Sequence, residues 1–104
     1  MFSDVLLRDR ILRLCRIIEK HLEARTMADM VTDTHLKDLV VKRLEGIGTA
    51  AYGLSRGFKA EHGSVDWDSI VNLGEITPDT PVYEIWVAAS MTVPEVLAQL
   101  EKIR

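Results

Sequence analysis

Cysteine is almost absent: Cys15 stands alone among 104 residues, so no internal disulfide framework can form and packing must hold the fold. Long apolar runs are missing too. Nothing approaches the ~20 consecutive apolar residues that a spanning helix needs, and no membrane role is expected. The N-terminal stretch lacks the basic start, apolar middle and small-residue cleavage site of a secretory leader. With the single cysteine, this predicts a cytoplasmic protein. Nowhere do β-branched residues alternate with polar ones between turn signals, which removes the usual signature of strands. Charge of one sign is scarce as well. A net charge of −3 gives no general attraction to phosphate backbones, so contact with nucleic acid would need a local basic patch.

What is present, 47% hydrophobic and 28% charged residues, is the balance of an ordinary globular domain, and the length suits one core spanning 1–104. The stretch VVKRLEGIGTAAYGLSRGF, residues 40–58, carries the longest helical pattern. Val40, Leu44, Ile47, Ala51, Leu54 and Phe58 recur at three- and four-residue steps, which keeps them on one stripe of a helix turning about 100° per residue. The spacing predicts a central helix continuing to about Glu61, ended by Gly63 and Ser64. Gly46, Ala50, Gly53 and Gly57 fall on a second stripe. Each glycine costs a helix about 1 kcal/mol relative to alanine, and close approach of another helix would compensate. That helix can belong to the same bundle or to a second copy across a dimer interface.

An amphipathic first helix precedes this one: Ser3 is a good N-cap, and Leu7, Ile11, Leu14, Cys15, Ile18 and Leu22 share a stripe. Cys15 on that stripe reads as a small core hydrophobe. Residues 25–34 break the pattern, with room for a helical turn around Ala28, and Asp33 or Thr34 can cap the central helix. Downstream, Asp66 can cap a short helix WDSIVNL that Gly74 stops. Thr80 and Pro81 form an N-cap and N1 pair for a helix through Trp86, and Thr92 with Glu95 forms a capping box for a closing helix of Val96, Leu97, Leu100 and Ile103. The expected fold is all-α, an antiparallel bundle of four to five helices, two of them long.

Chemistry is harder to find. GIGTAAYG has glycines but no preceding strand and no Walker-type lysine, so it is not a phosphate loop. His21, His35 and His62 lie far apart with no cysteine or carboxylate pair at ligand spacing, so no metal or cofactor is predicted. Asp66 and Asp68 flank Trp67 at a helix start, where carboxylates favour the helix dipole and capping is the better reading than acid–base catalysis.

Taken together, RLEGIGTAAYGLS, the tryptophan-led WDSIV, the Trp86 segment and the closing helix resemble the HepT-like family of HEPN domains. Arg8-Asp9, Ile11, Leu12, Ile17, Ile18 and Glu19 match the family's opening helix, so the resemblance covers nearly the whole chain. It implies a small helical bundle that forms a homodimer. It also implies a toxin–antitoxin setting, in which a metal-independent ribonuclease toxin is neutralised by a nucleotidyltransferase partner. The family's chemistry rests on an arginine that holds the scissile phosphate and, roughly four to six residues on, a histidine that orients or deprotonates the 2′-hydroxyl, with a tyrosine shortly after. Here those places fall near Gly74, Asp79 and Pro81, with Glu75 at the usual polar neighbour, and Thr49 stands where a glutamate is common. None can substitute, which marks a degenerate member acting as an interaction module. Arginine–histidine spacings of the right length occur instead at Arg16/His21 and Arg56/His62, and the second pair, near Trp67, is the candidate site of an alternative, active ribonuclease. Arg43, Arg56 and Lys59 on the central helix could contact RNA, but a solvated face is the better reading, and a plain helical scaffold without nucleic acid is a third alternative for the chain.

Overall fold

The computed structural model describes residues 3–103, and these form an all-α bundle. Helix α1, Asp4–Leu22, begins where Ser3 Oγ accepts a hydrogen bond from the Leu6 amide at 3.2 Å, and it buries Leu7, Ile11, Leu14, Cys15 and Ile18. It ends in a turn in which Ala24 adopts φ 58°, the left-handed region. Helix α2, Met27–Thr32, opens on a capping box between Thr26 and Asp29 and buries Met30 completely.

Helix α3, Thr34–Tyr52, is capped by Asp33, whose carboxylate accepts from the Leu36 amide at 3.0 Å. It buries Leu36, Val40, Val41, Leu44, Ile47, Gly48, Ala50 and Ala51 and packs against α1, α2, residues 67–75 and residues 82–87. Leu14 of α1 lies over Gly46 and Leu7 over Gly53, so α1 and α3 run antiparallel.

The expected continuation of this helix to Glu61 does not occur. The chain turns at residues 53–55 and restarts as α4, Arg56–Glu61. Ser55 causes the break: its backbone is extended (φ −67°, ψ 155°), its hydroxyl accepts from the Phe58 amide as the new N-cap, and both its amide and its hydroxyl donate to Asp4, at 2.8 and 2.7 Å. Leu54 remains buried and Phe58 half-buried, so the apolar spacing continues across the corner.

Helix α5, Trp67–Asn72, is capped by Asp66 and passes into a 3₁₀ turn, Leu73–Glu75, both packed on the side of α3 away from α1. Two expected helix starts are corrected beyond it. Pro81 itself occupies the N-cap position of α6, Val82–Val87, without a side-chain cap, because Thr80 Oγ1 turns back to accept from the Thr77 amide. The Thr92–Glu95 capping box does not form either. Thr92 is helical (φ −69°, ψ −44°) within a π turn, Ala88–Thr92, that joins α6 to α7, Val93–Glu101. The three pieces make a third long helical run in place of two short helices.

Local chemistry accounts for the wide turn. Pro94 has no amide to donate to the carbonyl four residues back and would crowd it in a regular helix. The Val93 amide instead reaches the Ala88 carbonyl, and Ser90 Oγ donates to the Trp86 carbonyl at 2.6 Å. Val93, Val96 and Leu100 bury against α1, and Arg16 pairs with Glu101 at 3.0 Å across that contact.

Candidate functional site

The Arg56/His62 pair sits on α4, at its first residue and its C-cap. Arg56 is exposed, and among the described residues no hydrogen bond or ion pair joins it to His62. The imidazole instead lies on the Phe58 ring, 4.7 Å between centroids and tilted 58°, and Phe58 meets Trp67 at 5.9 Å. Trp67 Nε1 donates to the His62 main-chain carbonyl at 3.1 Å. The histidine thus closes a small aromatic cluster at the α4–α5 corner. Arg16, of the other spacing match, is held by Glu101.

The segment on which the resemblance places the ribonuclease motif is occupied by its own turn. The Thr80 amide donates to the Thr77 carbonyl at 3.0 Å, the Asp79 amide to Thr77 Oγ1 at 3.2 Å, and Lys37 Nζ to the Pro78 carbonyl at 3.2 Å. Glu75 and Asp79 are exposed. Carboxylates at this place repel a phosphate, and neither supplies a cation for a developing oxyanion.

The small-residue stripe is largely used inside the chain. A methyl group on Gly46 would sit 3.0 Å from Leu14 Cδ1 and one on Gly53 3.3 Å from Leu7 Cδ1, and Ala50 is buried beside them. Gly57, carried onto α4 by the break, has open space around it. The tightest approach involves Gly48, which lies on neither predicted stripe: a methyl there would be 2.5 Å from Gly74 Cα, 2.7 Å from the Val71 carbonyl oxygen and closer still to the Gly74 amide nitrogen. The sequence held one clue, a glycine midway between Gly46 and Ala50 with a second glycine ending the tryptophan-led helix.

Cys15 is fully buried, and loss of solvation, reinforced by Glu19 and opposed by Arg16, pushes its thiol up to about 12, so it is no nucleophile at neutral pH. Among the described residues no three His, Cys, Asp or Glu side chains are grouped as metal ligands would be, and no helix is long and apolar enough to cross a membrane.

One concave surface was not anticipated. Between the first half of α1 and the end of α3 lies an open groove of about 650 Å³ lined by Leu6, Leu7, Arg10, Arg13, Thr49, Ala50, Tyr52 and Gly53. Leu6 is 62% and Tyr52 77% exposed, so the groove presents apolar surface to solvent. Tyr52 lies off both stripes of the central helix, roughly 120° round from each. No protein-family model, curated protein or solved structure matches the chain.

Proposed function

We propose that this chain is a catalytically degenerate, HepT-like HEPN-fold interaction module, homodimeric and paired with a nucleotidyltransferase of the toxin–antitoxin type. One observation supports the reading: an all-α bundle carries, where the resemblance would put the arginine and histidine, a turn whose charged side chains are Glu75 and Asp79. The Arg56/His62 pair does not replace them, since His62 is engaged with Phe58 while Arg56 stands in solvent. Val31, Tyr83 and Met91, at 59, 65 and 63% exposure, leave apolar surface for a second copy.

The test is direct. Purified protein incubated with transfer and messenger RNA in the presence of a chelator leaves both intact, and co-expression with an adjacent nucleotidyltransferase gene yields a stable complex. Metal-independent cleavage that vanishes in His62→Ala protein would overturn the reading in favour of an active ribonuclease.

A further inference from the structure

We propose that the groove between α1 and α3 docks an amphipathic helix of a partner protein, one whose apolar stripe is bordered by carboxylates. The inference deepens the interaction-module reading and rests on it.

Shape gives the first half of the argument. The groove is lined by the small residues Ala50 and Gly53, with Leu7 packed against Gly53, and by the exposed Leu6 and Tyr52. From Leu6 to Arg13 the α1 wall rises by about 10 Å, two helical turns, and the small residues permit the axial separations of roughly 8–10 Å at which helices pack. Leu6 and Tyr52 remain mostly exposed among the described residues, so an incoming stripe of leucine and alanine would remove both from water.

Charge gives the second half and selects the occupant. Arg10 and Arg13 stand on the α1 rim, both exposed. Ion pairs among the described residues join Arg8 to Asp9, Arg16 to Glu101 and Arg25 to Asp33, and none engages these two. Among the described residues, those lining the groove include no carboxylate. A second copy seated in it would therefore bring Arg10 and Arg13 against their own counterparts with nothing to answer them. A helix edged with glutamate or aspartate answers both, and paired charges at a rim set orientation and partner choice.

The experiment uses the isotope-labelled full chain and two synthetic helical peptides of about twenty residues, long enough for helicity. Each carries a leucine–alanine stripe, bordered by glutamates in one and by lysines in the other. The glutamate peptide is expected to bind saturably and to shift the amides of residues 6–13 and 49–53. Reversing both rim charges, Arg10→Glu with Arg13→Glu, should weaken it by about tenfold or more and give the lysine peptide measurable affinity. Tyr52→Ala should abolish binding of the glutamate peptide. All three side chains are exposed, and a circular dichroism spectrum like the wild type's identifies folded variants.

Failure of the glutamate peptide to bind at millimolar concentration, shifts confined to another face, or indifference to charge reversal would each overturn the proposal. So would a wild-type dimer that Tyr52→Glu dissolves, since the groove would then hold a second copy. These outcomes are separable from the RNA test: intact RNA with no peptide binding removes the groove and leaves the degenerate module standing, whereas cleavage removes the module reading itself.

Discussion

Gly48 and Gly74 pack backbone to backbone, so close that a single methyl group on Gly48 would lie 2.5 Å from the Cα of Gly74 and 2.7 Å from the Val71 carbonyl. Neither obstacle is a side chain that can rotate away; both belong to the main chain where α5 passes into its 3₁₀ turn. Gly48→Ala must therefore push α5 off α3 and separate Trp67, Ile70 and Leu73 from the core. A loss of about 3 kcal/mol or more in unfolding free energy is expected in urea titration. Gly57→Ala, with open space around it and a helical backbone, is the control and should stabilise by up to about 1 kcal/mol.

Asp4 carries a pH signature. The amide and then the hydroxyl of Ser55, donating to its carboxylate, hold its pKa below the ordinary 3.8. A group depressed on folding contributes stability that is present above its unfolded pKa and lost as pH falls through the folded one. Asp66 has the same sign, held down first by the Ser69 hydroxyl and then by the Ser69 amide. Urea midpoints measured from pH 6 downward should fall as the pH drops below about 4. Asp4→Asn should start lower and flatten that acid limb; an unchanged limb would mean that the Ser55 bonds do not persist in solution.

His62→Ala separates packing from catalysis. Removing the imidazole uncovers one face of Phe58 and should cost roughly 0.5–1.5 kcal/mol. The Trp67 indole keeps its acceptor, which is the main-chain carbonyl of residue 62, so the tryptophan emission maximum should hardly move.

Ala24 sits at φ 58°, where an L-residue crowds its own carbonyl and glycine does not. Ala24→Gly should raise the thermal midpoint, with a gain of roughly 0.5–1 kcal/mol after the extra freedom of glycine in the unfolded chain is subtracted.

Cys15 should be silent until the chain unfolds. Its burial and raised pKa predict that an aromatic disulfide reagent at pH 8 modifies it only at the rate of global opening, and at once in concentrated urea.

Which of these features could be read from the sequence follows from the distance over which each is determined. Ser3, Asp33 and Asp66 were legible as caps because a short side chain reaches an amide three residues away, whatever surrounds it. The buried stripe of α1 and the core positions of α3 were legible for the same reason: a helical period is local. The α3–α4 corner was not, because Leu54 and Phe58 keep the spacing of an unbroken helix while the decision is made by Asp4. The π turn escaped too, since Thr92, Pro94 and Glu95 spell a helix start, and only the burial of Ala88, Ala89 and Val93 against the bundle keeps the chain helical through it. That Gly74, Asp79 and Pro81 stand where the resemblance would put an arginine, a histidine and a tyrosine was readable from the sequence alone. The groove was not, because Leu6 and Tyr52 lie 46 positions apart, and only the antiparallel packing of α1 on α3 brings them to one cleft.

The bond from Ser55 to Asp4 also dictates an order of events. It closes a loop of 51 residues, so its formation carries a loop-closure entropy cost that the packing of α1 on α3 offsets. Asp4 is synthesised 51 residues before Ser55 and must wait for its partner. The orientation of α4, and with it the Phe58–His62–Trp67 cluster, is therefore expected to settle late in folding. Substitutions there should speed unfolding while leaving the folding rate nearly untouched.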